Sequence, residues 1–196
     1  VFVLEPGTGL AGSAKTARKG VGGFQVAVRG KSSHAGVDFA AGANAIVELA
    51  HQVAVIAGFT DLDKGVTVNP GVIRGGTRTN VVPAEASVDV DYRVPRMRDY
   101  EKLSRQIAKL RPSDKRCTLA ITGELNRPPM ERTPGVVRLY RAAQRLARDL
   151  GIDLAESATG GGSDGNFTAG IGIPTLDGIG GVGEGAHAAH ESILTD

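Results

Sequence analysis

The sequence predicts an α/β protein with an α+β domain inserted into it. Three observations carry this. Alternating strands and amphipathic helices follow the order β-α-β-β-α-β between residues 20 and 123. A Pro-rich break, "NRPPMERTPG" (126–135), then changes the texture. Beyond it, short apolar runs feed Gly-rich loops, "TGGGSDGNF" and "GGVGEGAHAAHE", the style of a parallel sheet with a site at its strand ends. The expected division is 1–16 and 128–196 for the α/β part and 17–127 for the insertion.

Each element has its own signal. "GFQVAVRG" (23–30) alternates, with Phe24, Val26 and Val28 on one face, as a half-buried strand does. Ile46, Leu49, Val53 and Ile56 recur at helical spacing, and Gly58 ends that helix. "GVTVNPGVIRGG" (65–76) is a strand bent at Asn69-Pro70-Gly71. "ASVDVDYRV" (86–94) points Val88, Val90 and Tyr92 inward. Asp99 is placed to cap a helix with the stripe Tyr100, Leu103, Ile107 and Leu110. "CTLAITG" (117–123) alternates again. This is the split-βαβ order: a four-stranded antiparallel sheet with two helices on one face and an outer strand edge open to a second copy. After the break, Thr133 and Pro134 start a helix that Gly151 stops, and a short strand is expected near 153–156.

Composition narrows the function. The 196 residues carry a net charge of +2, with basic residues scattered rather than clustered, and aromatics make up 4% with no Trp. Nothing here favours a nucleic-acid surface. No apolar run approaches the roughly 20 residues that span a bilayer. The single cysteine, Cys117, lies on the apolar side of its run and is expected to be a buried, inert thiol.

Several residues stand out as chemistry. Glu5 closes "VFVLEP", which reads as the end of a buried strand, where a carboxylate is costly unless paired or metal-bound. A capping carboxylate at a turn fits equally. His187 and His190 lie in "GAHAAHE", where nitrogen and oxygen donors would suit zinc, cobalt or manganese. "GGGSDG" (160–165) fits an anion site or a plain turn into a helix, and it lacks the Lys-Ser/Thr ending of a phosphate loop. Arg78 and Asn80 lie in an inter-strand loop. His34, in "GKSSHAG" (30–36), has no apolar face to fill and should be exposed.

In this order, "LEP", "KGVGGFQVAVRGKSSHAG", "NVVPAEASVDVDYR", "NRPPM", "TGGGSDGNF" and "IGGVGEGAHAAHE" resemble the zinc-dependent exopeptidases and deacylases that include glutamate carboxypeptidase, acetylornithine deacetylase, succinyl-diaminopimelate desuccinylase and the aminoacylases. The resemblance spans the whole chain, with the glutamate carboxypeptidase branch nearest. It implies a lid or dimerisation domain over 17–127 and part of a two-zinc catalytic domain on either side. It implies that Glu5 and His187 are metal ligands and that His190 is not. It implies that His34 reaches the partner subunit's active site and hydrogen-bonds the oxyanion. Asn80 and Arg127 would contact the substrate's carboxylate and scissile group, and Gly161, Gly162 and Ser163 would line the substrate loop.

The resemblance also implies what is missing. The family's His-x-Asp motif, bridging aspartate and Glu-Glu pair are not in this sequence, so the chain is expected to be a fragment lacking the N-terminal catalytic half. The expected function is hydrolysis of an amide or peptide bond next to a free carboxylate by a homodimer, with a small peptide or N-acyl amino acid as substrate. The chain alone is expected to be inactive. The alternative is a dimerisation or binding module that has lost metal chemistry. Localisation, cytoplasmic or periplasmic, is open.

Overall fold

The computed structural model describes residues 1–185 and 188–195. The chain forms two units, one of residues 22–94 and 98–126, the other of 1–21, 95–97 and 127 onward.

The first unit is built on a sheet of β2 (Gly20–Arg29), β3 (Thr67–Gly75), β4 (Glu85–Val94) and β5 (Thr118–Arg127). The strand β1 (Ala14–Arg18) precedes them in the chain and belongs to the second unit. The sheet is antiparallel with order β3-β4-β2-β5. The pleat sends alternate side chains to one face. Phe24, Val26 and Val28 from β2 and Val88, Val90 and Tyr92 from β4 are all buried there. Each such side chain contributes about 1.5–3 kcal/mol by leaving water. Helices α1 (Ala45–Ala57) and α2 (Met97–Ile107) supply Leu49, Ile56 and Leu103 to the same core. Cys117 is buried in it as expected.

Local chemistry sets the element ends. Asn44 caps α1, its side chain accepting from the N–H groups of Ile46 and Val47. β3 changes register between Pro70 and Val72, the bend foreseen at Asn69-Pro70-Gly71. A proline is tolerated because β3 is an edge strand and owes no N–H to a neighbour on its open side. α2 starts at Met97, two residues ahead of the expected cap Asp99, because the carboxylate of Glu131 accepts from the Met97 N–H at 2.9 Å.

Two expectations for α1 change. Ile46 is 40% exposed, and Glu48 and Gln52 are buried instead. Leu49 and Ile56 face inward as expected and Val53 packs partly buried against the core, while Ala45, Glu48 and Gln52 join the inward face.

In the second unit, β1 pairs in parallel with β6 (Glu156–Thr159). The N-terminal run lies alongside 174–180, with Val3 N–H donating to the Leu176 carbonyl and Gly180 N–H to the Glu5 carbonyl, both at 2.9 Å. Helix α3 (Pro134–Asp149) carries Tyr140 into a small core with Ala14 and Leu176. Thr133 caps it and Gly151, at φ +76°, follows its end, as the sequence indicated. The short helix α4 (Gly165–Gly170) follows the Gly-rich loop, and β7 (Gly183–Glu184) pairs with β8 (Ser192–Ile193). No helix among the described residues is long and apolar enough to cross a membrane.

Candidate active-site elements

The histidine loop belongs to the sheet unit. Beyond β2, the chain 30–34 runs antiparallel to 81–84: Gly30 N–H donates to Ala84 O, Val82 N–H to Ser33 O, and Ala35 N–H to Asn80 O at 3.0 Å. This sets His34 opposite Val81 and Asn80 opposite Ala35, so two expected site residues lie on adjoining runs, and both are exposed. The His34 carbonyl accepts from Val37 and Asp38, closing the turn. Its Nδ1 accepts the Gly36 N–H at 3.1 Å. A neutral imidazole that accepts at Nδ1 carries its proton on Nε2. His34 is thus held as an outward-facing Nε2–H donor.

The glycine loop belongs to the other unit. Ser163 gives its hydroxyl proton to Asp177 and accepts the Gly165 N–H at 3.1 Å. Its own N–H donates to Asn166 Oδ1, and the Asn166 amide donates to the carbonyls of Lys19 and Pro128. Asp177 also accepts from Arg18, Nε at 2.8 Å and Nη2 at 2.7 Å, in a fork that leaves Arg18 Nη1 for the Gly161 carbonyl. A Cβ on Gly162 would come within 3.0 Å of Arg127 Cδ. Arg127 itself stacks over Phe167 at 5.1 Å and faces Asp164. The loop therefore shares one surface with Arg127.

Glu5 corrects an expectation. It is exposed rather than buried, because the run before it pairs along 174–180 and leaves Phe2 and Leu4 60% and 78% exposed. Its side chain lies within electrostatic reach of Lys15, whose amine donates to the Pro6 carbonyl at 2.6 Å. Burial, then the positive Arg18, lowers the Lys15 pKa; Asp177 and Glu5 pull the other way. His187 lies outside the described residues. Among the described residues no three of His, Cys, Asp and Glu stand close enough to hold a metal ion. Glu5 alone does not make a metal centre, since zinc takes about four ligands.

Arg18 and Asp177 escape a sequence reading. They stand 159 positions apart and sit in runs with no motif of their own. The only local hint is that Arg18 occupies an inward position of β1, in phase with the buried Ala14 and Thr16.

The chain belongs to the M20 peptidase family: residues 16–116 match the model of the peptidase dimerisation domain. It is 27% identical over 191 residues to carboxypeptidase G2 of Pseudomonas sp. (strain RS-16), covering 96% of this chain and 46% of that protein. It is 30% identical over 187 residues to succinyl-diaminopimelate desuccinylase of Nitrosococcus oceani, covering 91% and 48%. The crystal structure of the aminopeptidase PepT from Bacillus cereus superposes with a TM-score of 0.83 at 28% identity, covering 98% of this chain and 51% of that one. The chain thus spans about half the length of these relatives.

Proposed function

We propose that this chain supplies the dimerisation lid and part of the catalytic domain of a metal-dependent amide or peptide hydrolase acting next to a free carboxylate. The observation that carries the reading is the exposed His34 imidazole, whose Nδ1 accepts the Gly36 N–H and so leaves Nε2–H as an outward donor, within the region matched to the dimerisation domain. A fixed donor suits the charge that develops on a scissile carbonyl oxygen. In this reading His34 serves the active site of the partner subunit in a homodimer. Asn80, Arg127 and the loop of Gly161, Gly162 and Ser163 receive the substrate. Glu5 and His187 are the metal ligands, with zinc as the metal and cobalt or manganese as substitutes.

The relatives named above include a carboxypeptidase, a desuccinylase and an aminopeptidase. The test is therefore an assay of the intact protein, with zinc, cobalt or manganese, on N-acyl amino acids, dipeptides and tripeptides. The panel includes C-terminally amidated forms. We expect hydrolysis that needs metal and is lost when the substrate carboxylate is amidated. Turnover indifferent to amidation would sink the carboxylate requirement. An intact protein that takes up none of these metals and hydrolyses nothing in their presence would favour a binding module instead.

A further inference from the structure

We infer that Arg18 is a positioning residue that fixes the shape of the Gly160–Ser163 loop. The inference rests on the reading above only for its consequence in substrate binding. The geometry stands on its own. Arg18 and Asp177 are 5% and 0% exposed. The backbone pins both: Arg18 exchanges N–H and carbonyl bonds with Met130, and Asp177 does so with Lys15. The loop is then hung from this fixed pair at two points. Arg18 Nη1 donates to the Gly161 carbonyl at 3.1 Å, and the Ser163 hydroxyl donates to the Asp177 carboxylate.

A buried ion pair is a poor device for stability alone, because desolvation offsets the attraction and an apolar pair of equal volume often does as well. An apolar pair could not hold a carbonyl and a hydroxyl of the same loop. A Cβ added at Gly160 or Gly161 would meet its nearest neighbour only at 4.0 or 3.9 Å, and besides the clamp Gly161 has a local bond from its N–H to Thr159 Oγ1 at 3.3 Å. The Thr159 bond is local to the turn, so the Arg18 bond to the Gly161 carbonyl is what ties this stretch to the buried pair. Arginine is required over lysine because three directed N–H groups serve three acceptor atoms, both Asp177 carboxylate oxygens and the Gly161 carbonyl, in the planar fork that a single ammonium lacks.

The test is hydrogen exchange on the full chain for Arg18→Lys and Ser163→Ala, with steady-state kinetics on the intact protein. In Arg18→Lys the amides of 160–165 should exchange about tenfold faster or more, while core amides of β2 and β4 keep their rates. Ser163→Ala, which leaves the Arg18–Asp177 pair whole, should speed exchange at Gly165 with the fold intact. In the kinetics, Arg18→Lys should raise KM at least about tenfold and change kcat by less than about threefold, the signature of lost uniform binding. Unchanged loop exchange in both variants overturns the inference. So does an Arg18→Lys change spread evenly over the whole second unit with no effect in Ser163→Ala, because that is a structural pillar and nothing more. Faster loop exchange in a protein that hydrolyses nothing supports the clamp and rejects the proposed function, so the two failures are distinguishable.

Discussion

Glu48→Ala tests how the histidine loop is braced. The Glu48 carboxylate is 1% exposed and accepts from Gln52 Nε2 at 2.7 Å, Ser113 N–H at 3.1 Å and Asp114 N–H at 2.8 Å. Those amides open the turn that delivers Arg116, whose Nη1 donates to the carbonyls of Gly42 at 2.8 Å and Ala40 at 3.2 Å. Ala40 and Gly42 belong to the segment that leads from His34 into α1. In Glu48→Ala, Gln52 Nε2 keeps the Arg111 carbonyl, but two backbone N–H groups lose their acceptor. Each such loss costs about 1–3 kcal/mol, so about 2–6 kcal/mol in all, with the lower half expected if water enters the space left. For a unit of this size that lowers Tm by at least about 8 °C. The pH dependence has a definite sign. Burial alone would raise the Glu48 pKa, but the Asp114 N–H, the Gln52 side chain and the Ser113 N–H outweigh it and hold the carboxyl below its ordinary 4.5. A folded value below the unfolded one means stability present above the unfolded pKa and lost as pH falls through the folded value. The difference between wild type and Glu48→Ala in urea unfolding, followed by circular dichroism, should therefore narrow as the pH falls below the ordinary 4.5. A difference under about 1 kcal/mol at neutral pH, or one that stays constant into acid, would refute the reasoning.

Three further outcomes follow from the structure. Under the proposed function, His34→Ala in the intact protein should lower kcat by about 10²–10³-fold, as loss of one oxyanion donor does, with metal content by elemental analysis unchanged; a change within about twofold would remove His34 from the proposed chemistry. Gly162→Ala brings a methyl within 3.0 Å of Arg127 Cδ and 3.1 Å of Val21 Cγ2. It should therefore raise KM with little change in Tm, and an unaltered KM would separate this loop from the substrate. Cys117 is buried, and burial foremost raises its thiol pKa, so a thiol reagent should label it only in denaturant. Labelling of the native chain at the rate of a free thiol would contradict the packing described.

The sheet was legible because pleat and burial share one period. Val88, Val90 and Tyr92 alternate with Ser87, Asp89 and Asp91 in the sequence as they do between core and solvent. The same logic hid the polar interior. Glu48, Gln52, Arg18 and Asp177 read as surface residues by type, and only tertiary partners make their burial tolerable. β1 was missed for a related reason: in "AKTAR" the inward residues are Ala14, Thr16 and Arg18, which carry almost no apolar signal. Glu5 failed in the opposite sense. "VFVL" is apolar enough to suggest burial, but pairing along 174–180 satisfies its backbone without covering its side chains.

His34 shows where a sequence reading stops and geometry must take over. The pattern in "GKSSHAG" marked an exposed imidazole, and the structure agrees. Which nitrogen donates is decided by the Gly36 N–H, a group every residue but proline carries. Gly36 is not needed there for space, since an added Cβ would sit 3.7 Å from the ring, an ordinary contact. What fixes the tautomer is the turn itself, closed by Val37 and Asp38 donating to the His34 carbonyl. Gly36→Ala should therefore keep the Nε2–H donor and nearly full turnover. Gly36→Pro, which removes the N–H, should free Nδ1 to take the proton and behave like a loss of His34. Nitrogen chemical shifts of the ring report the tautomer directly, and a ring that stays Nε2-protonated in Gly36→Pro would show that some other group sets it.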